Sequence, residues 1–93
     1  MTLLLKDPGA ALDYSVDWGA EYLGGDQLVQ SDWSVEPNEP GGVAIAASAF
    51  DSATSTVKAL GGLSGRLYRL VNTVLLASGR VDNRSIVLRV EKR

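Results

Sequence analysis

Apolar and polar residues alternate along much of this chain, and a period of two is typical of β-strands that bury one face. The longest alternating segment follows a glycine-rich turn and lies within residues 63–77. One of its faces carries Tyr68, Leu70, Asn72, Val74 and Leu76. Residues 12–18 form a second clear run. Its predicted core-facing residues are Leu12, Tyr14, Val16 and Trp18.

Five shorter segments also have strand character, and turn residues separate them. They cover residues 3–6, 27–35, 43–50, 55–60 and 84–91. In the second of them, one predicted side consists of Val29, Ser31, Trp33 and Val35. In the last, the predicted inward residues are Ile86, Leu88 and Val90. Residues 19–23 could form one helical turn.

This count predicts an all-β protein. We expect a single immunoglobulin-like β-sandwich of about seven antiparallel strands, formed by residues 1–93 as one domain. Tyr68 supports this fold because it follows Gly65 by three residues at the start of the longest strand. That position suits a tyrosine corner, in which the ring enters the core and the hydroxyl bonds a nearby backbone group. The alternative is a tyrosine that only fills space in the sheet.

Two segments between the alternating runs are unusual. Residues 36–42 contain two prolines and two glycines, which predicts a loop at one end of the sandwich. Residues 43–50 are apolar on both faces but mostly small, so they predict a buried strand or a strand whose outer face meets another subunit. Further along, Ser78–Gly79 and Asp82–Asn83 are predicted to bracket a hairpin loop.

Composition narrows the classes of function. The chain has no Cys and no His, which removes thiolate metal sites and the commonest general base. Its net charge of −2 gives no reason to expect a nucleic-acid partner. No apolar stretch approaches the roughly 20 residues of a membrane span or resembles a signal peptide. We therefore expect a soluble protein made in the cytoplasm, with no membrane partner.

Charge is distributed unevenly along the chain. Residues 1–46 carry eight acidic residues and one basic residue, whereas residues 47–93 carry eight basic and three acidic residues. If the fold separates these halves, one copy's basic face could meet the acidic face of the next. The predicted basic interface residues are Arg66, Arg69, Arg84 and Arg89. The predicted acidic ones are Asp13, Asp17, Asp32 and Glu36. Alternatively, acidic and basic strands lie side by side and pair across the sheet.

The sequence offers no catalytic constellation. A nucleophile would have only carboxylates, lysines or the chain amine as a base, and no spacing favours such a pair. The carboxylates at Asp13 and Asp17 lack the spacing of a calcium loop. We therefore expect no catalytic, cofactor or metal site, and no small-molecule ligand. A carbohydrate-binding module for host-surface glycan is the alternative, with Trp18, Tyr22 and Trp33 as candidate aromatics, although the phase of the two tryptophans points them at the core.

Several motifs occur together in a recognisable order. In the first half they are Asp17–Trp18, Tyr22–Leu23, Gly25–Asp26 with Leu28, and the Ser31-x-Trp33-x-Val35 strand. In the second half they are Gly61–Gly62, Gly65-x-x-Tyr68, Val71-Asn72-Thr73, Ser78-Gly79-Arg80 and the strand at 85–90. Over residues 6–90 the chain resembles a family of small structural proteins of tailed bacteriophages, namely fiber-tail adaptors and tail or head-tail components. It departs from that pattern at residues 36–50.

The resemblance implies a part of the virion without catalysis. It implies a location in the tail, the head-tail region or on the capsid as a decoration subunit. The implied partners are other virion proteins and further copies of the same chain, in a ring or repeated array. Within such a sandwich we expect Trp18, Trp33 and Tyr68 to be structural residues of the core.

Overall fold

The computed structural model describes residues 2–19 and 24–92, and these residues form seven strands with no helix. The strands are β1 Thr2–Lys6, β2 Leu12–Asp17, β3 Leu28–Glu36, β4 Val43–Phe50, β5 Thr54–Gly61, β6 Leu67–Leu76 and β7 Val81–Val90. They form a four-stranded sheet in the order β1-β7-β6-β3 and a three-stranded sheet in the order β2-β5-β4. The predicted all-β sandwich is therefore confirmed, and its two sheets are consistent with an immunoglobulin-like arrangement.

Strand directions differ from the prediction in one place. β1 pairs with β7 in parallel, whereas the other four pairings are antiparallel. β1 is followed by a turn that leads into β2 of the opposite sheet, so no hairpin fixes its direction relative to β7. Across the described part of the chain, no helix is long and apolar enough to cross a membrane.

The core lies between the two sheets, and the long alternating segment supplies much of it. All five residues on its predicted inward face are buried. The predicted inward residues of β7 are also buried, and they lie beside those of β6. Opposite them, the middle strand of the smaller sheet contributes Val57 and Ala59, both fully buried. The period of two in the sequence thus identified the central strands correctly.

The first residues of β3 depart from the predicted alternation of inward and outward side chains. Leu28 is buried, whereas Val29, which we expected to face inward, is 52% exposed. The register between β3 and β6 shifts between Leu28 and Gln30, which marks a β-bulge. A bulge inserts one extra residue and so reverses the inward and outward positions on either side of it. Beyond the bulge, Trp33 and Val35 pack against the core as predicted.

The edge strand β2 begins outside the core. Val16 is buried and Trp18, just past the strand end, is fully buried, as expected. Leu12, which we expected to face inward, is exposed because it starts an edge strand at one end of the sandwich. Most of the helical turn suggested for residues 19–23 lies outside the described residues.

The strand β4 has the predicted bounds but not the favoured environment. We expected a buried strand, yet residues 46–50 are all exposed. β4 pairs only with β5 and therefore lies at the edge of the smaller sheet. A register shift between Ile45 and Ala47 also marks a β-bulge in this strand. An edge strand made of small residues pairs on one side only, so much of it stays exposed.

The last hairpin is tighter than predicted. β6 ends at Leu76 and β7 begins at Val81, so Ser78 and Gly79 lie in the turn, but Asp82 and Asn83 belong to the strand. Gly79 has a φ of 95°, in the left-handed region that favours glycine. The turn therefore closes earlier, and β7 is longer than the sequence indicated.

Candidate interaction surfaces and the buried polar network

A hydrogen-bonded network crosses the core from one sheet to the other. Trp18 Nε1 donates to Asn72 Oδ1 at 2.9 Å, and Asn72 Nδ2 donates to Ser31 Oγ at 2.8 Å and to the carbonyl oxygen of Asp32 at 3.0 Å. Asn72 lies on the inward face of β6 and is fully buried. Its amide therefore has three hydrogen-bond partners, which come from two other segments. A buried amide group needs such partners because no water is available to it.

The network continues into the smaller sheet through Ser55 of β5. The hydroxyls of Ser31 and Ser55 are 2.6 Å apart, and Trp33 Nε1 donates to Ser55 Oγ at 2.8 Å. Ser55 is fully buried. The sequence motifs around both tryptophans and Asn72 thus meet in one place. They connect β3, β5 and β6 with the segment after β2.

This placement leaves little of the aromatic surface that a carbohydrate site needs. Trp18 is fully buried, and the guanidinium of Arg84 covers its ring with 4.5 Å between the guanidinium carbon and the ring centroid. Trp33 is partly buried, and its indole N–H is bound to Ser55. Tyr22, the third candidate, lies outside the described residues. The two described tryptophans act as core residues.

Tyr68 lies at the start of β6, and its ring is buried. The backbone N–H of Leu63 donates to the Tyr68 hydroxyl at 3.1 Å, which is the return contact of a tyrosine corner. The same hydroxyl donates to Glu39 Oε1 at 2.7 Å, and Glu39 forms an ion pair with Arg66 at 3.4 Å. Burial, together with the carboxylate of Glu39, raises the pKa of Tyr68 above its usual value. The tyrosine thus connects the turn before β6 to the loop after β3.

Two residues with buried or partly buried hydrogen bonds, Glu39 and Lys6, were not identified from the sequence. Glu39 lies in the proline-rich loop, and nothing in its local pattern connects it to Tyr68. Lys6 ends the strand predicted for residues 3–6, and its side chain is buried in the structure. Its Nζ donates to the carbonyl oxygens of Asp7, Ala10 and Gly61, at 3.0, 2.6 and 2.6 Å. Burial lowers the pKa of Lys6, and nearby Asp7 partly opposes that shift.

The four arginines proposed as a basic interface have different environments. Arg66 pairs with Glu39, and Arg89 pairs with Glu91 at 2.7 Å. Arg84 donates to the carbonyl oxygen of Asp17 at 3.3 Å and lies over Trp18. Arg69 is exposed, and within the described part of the chain it forms no ion pair shorter than 4 Å. These residues do not form one continuous basic surface.

The acidic residues are also divided. Asp13 and Asp17 lie on the outer face of the three-stranded sheet, where Asp13 is opposite Lys58 in the register. Asp32 and Glu36 lie on β3 in the other sheet, and Glu36 is opposite Arg69. Since β3 pairs with β6, the acidic and basic halves of the sequence share one sheet. Of these four acidic residues, the fold thus keeps only Asp13 apart from the arginines of β6 and β7, because Arg84 bonds the backbone of Asp17.

The outer face of the four-stranded sheet has an apolar cluster, which we call the leucine patch: Leu3, Leu5, Leu67 and Val87. The three leucines are 61%, 48% and 58% exposed. They are neighbours because Leu3 is opposite Val87, while Leu5 and Leu67 lie on either side of Arg89. Exposed apolar residues grouped in this way around Arg89 mark interaction sites more often than isolated ones do.

The outer face of the three-stranded sheet is different in character. Along β4 it presents Ala47 and Ala49 beside Thr56 and Lys58 of β5, and these residues line a shallow depression next to Asp13. No group of three or more carboxylates among the described residues is close enough to hold a metal ion. This face offers small side chains and the exposed carboxylates of Asp13 and Asp17.

Comparison with protein-family models gives a match. The family model described as podophage GP4 fiber-tail adaptor protein gp77 matches residues 6–89. No curated protein matches the chain. The matched region contains the whole buried network and Tyr68. It includes β2 to β6 in full, β7 except its last residue, and only the last residue of β1.

Proposed function

Because the chain belongs to the family of the podophage GP4 fiber-tail adaptor protein gp77, we propose that it is a non-enzymatic structural subunit that joins tail fibers to the phage tail. The observation that carries this proposal is the length of the match, which covers residues 6–89 of 93. As an adaptor of this family it is a component of the virion. Its synthesis in the host cytoplasm, before assembly, is part of the proposal.

A subunit that joins two components needs two separate surfaces. The sandwich supports this role because its two outer faces differ in chemistry. The four-stranded sheet presents the leucine patch, which suits an apolar surface of another virion protein. The three-stranded sheet presents small residues beside Asp13. One contact on each side would place the adaptor between its two partners.

We also propose that copies of the chain associate in a ring or repeated array. Arg69 and Asp13 support this proposal because they are exposed on opposite faces of the sandwich. A contact between unlike faces is heterologous, so it closes into a ring or continues as a helix. The charges would mainly set register and association rate, whereas apolar contacts would supply most of the affinity.

The adaptor role is tested with phage particles that lack this chain. We expect such particles to keep their tails and lose their fibers in electron micrographs, and to regain fibers when the purified wild-type protein is added. The variant Leu67→Ser should restore fibers poorly, whereas Val81→Ser, an exposed change on the same face outside the leucine patch, should act as the wild type does. Fibers that remain attached without the chain would refute the proposal.

A further inference from the structure

Half of one strand edge in the larger sheet is uncovered. β7 runs from Val81 to Val90, but β1 pairs only with its last five residues, from Ile86 onward. On the other side β6 covers β7 from Val81 to Arg89. In the described part of the chain, residues 81–85 therefore have a strand neighbour on one side only.

The backbone groups on this open side can be assigned from the ladder. Val90 N donates to the carbonyl oxygen of Arg66, and Leu76 N donates to that of Arg80, so the even-numbered residues of β7 bond toward β6. In an antiparallel pair the odd-numbered residues then direct their N–H and C=O groups to the other side. These are Val81, Asn83 and Ser85. The N–H of Asn83 bonds the carboxylate of Asp82 at 2.8 Å.

A cleft lies beside this edge, where the two sheets separate. Its volume is about 280 Å³, and its lining includes Leu4, Tyr14, Val16, Ser85 and Ile86. Val16 and Ile86 are core residues, each still 7% exposed. The hydroxyl oxygen of Tyr14 is buried and has no hydrogen-bond partner among the described residues. An unbonded buried hydroxyl is costly, so a partner that supplies an acceptor would be favoured.

We propose that this edge and cleft bind an extended, uncharged segment of another virion protein, which adds a strand to the sheet in line with β1. The segment would continue the existing β1–β7 ladder and bond the backbone groups of Val81 and the N–H of Ser85, which face away from β6. Its apolar side chains would cover Val16 and Ile86, as in other cases of strand addition to a sheet edge.

The charges at the rim favour an uncharged segment. Arg84 and Asp17 line the cleft together, and the guanidinium of Arg84 already donates to the backbone of Asp17 and covers Trp18. The rim thus contributes one positive and one negative side chain, with no excess of either. A backbone carbonyl of the incoming strand is the expected acceptor for the Tyr14 hydroxyl.

The inference rests on the proposed adaptor role, and its test uses Tyr14→Phe with particles that lack the chain. In the free protein the Tyr14 hydroxyl bonds none of the described residues, so its removal should leave the melting temperature unchanged or raise it. In the particle the same change should raise the protein concentration needed for half-maximal incorporation by roughly two- to tenfold, as expected for one lost hydrogen bond. Tyr68→Phe is the matched control, with a lower melting temperature and normal incorporation at a temperature where it is folded.

Hydrogen exchange provides a second measurement. The amides of residues 81–85 should exchange more slowly in particle-bound protein than in free protein, whereas the already paired residues of β6 should change little. Normal incorporation of Tyr14→Phe, or unchanged exchange at residues 81–85, would overturn the inference and leave the adaptor role intact. Failure of the wild-type protein to join the particles would contradict both.

Discussion

Removal of the Tyr68 hydroxyl tests the central feature of the fold. In the wild type this oxygen accepts a bond from the Leu63 N–H and donates one to the carboxylate of Glu39. Tyr68→Phe removes both bonds, so the Leu63 N–H and the Glu39 carboxylate each lose the hydroxyl as a partner. A bond to a charged group is worth about 1.5–3 kcal/mol, and a neutral one about 1 kcal/mol. The Glu39 side chain is 22% exposed, so water can replace part of the first term.

We therefore expect Tyr68→Phe to lower the free energy of unfolding by about 2 kcal/mol. For a chain of this size such a loss lowers the melting temperature by roughly 8–15 °C. Tyr68→Ala also removes a buried ring and should cost about 3–5 kcal/mol. Urea unfolding followed by circular dichroism measures both values, provided that the dependence on urea is unchanged.

Two controls separate the hydroxyl from the ring. Tyr14→Phe removes a hydroxyl that bonds no residue in the part of the chain that the structure describes, so it should not destabilise the protein. In a double-mutant cycle with Glu39→Gln, the two changes should be non-additive because both affect the same bond. If Tyr68→Phe is within about 0.5 kcal/mol of the wild type, the hydroxyl does not stabilise these loops and the reasoning is wrong.

The pH dependence of stability gives the same test from another direction. The pKa of Tyr68 is raised in the folded protein, first by burial and then by Glu39. The unfolded chain therefore loses this proton at a lower pH than the folded protein does. Stability from this group is present below the unfolded value near 10 and is lost as pH rises above it. Tyr68→Phe should remove part of that alkaline loss.

Three further predictions concern other parts of the molecule. Asn72→Ala should lower the free energy of unfolding by roughly 2–4 kcal/mol, since it removes the amide oxygen that accepts from the buried Trp18 N–H and creates a cavity; urea unfolding measures this. The pKa of Asp26 is lowered mainly by its bond from the Ser78 hydroxyl, so its stabilisation is lost as pH falls below the usual carboxyl range, and Asp26→Asn should show a smaller acid-induced drop in melting temperature. Arg69→Glu should prevent self-association in sedimentation experiments with an almost unchanged melting temperature, and adding Asp13→Arg should restore it; a melting temperature several degrees lower would instead show that the charge pairs within one molecule.

The sequence predicted the buried face of a strand correctly where apolar and polar residues alternate without a break. In β6 each inward residue is followed by an outward one for ten residues, so the pattern alone fixes the buried face. It failed at Val29, because a bulge depends on the partner strand and leaves no local mark. It failed at β4 because apolar residues do not show whether a strand lies in the centre or at the edge of a sheet. Lys6 was missed because its acceptors are backbone carbonyls, two in the turn that follows it and one at Gly61, and no side-chain pattern marks them.

The interaction surfaces were harder to predict than the core for a related reason. Net charge by sequence half suggested two opposite faces, but strand order decides which charges become neighbours. The pairing of β3 with β6 brings Glu36 beside Arg69. Such long-range pairings follow from the whole fold, so no count along the chain could show them.

The residues that carry the family resemblance have a consistent structural role. Trp18 bonds Asn72, and Asn72 is linked to Trp33 through the bonded hydroxyls of Ser31 and Ser55. Tyr68 fixes the turn before β6. These motifs therefore specify the sandwich and say little about what it binds. Partner choice must then depend on exposed residues outside the motifs. Residues 36–50, where this chain departs from the family pattern, include the exposed half of β4. Exchange of this segment between two adaptors should transfer partner preference while the buried network, and with it the fold, stays the same.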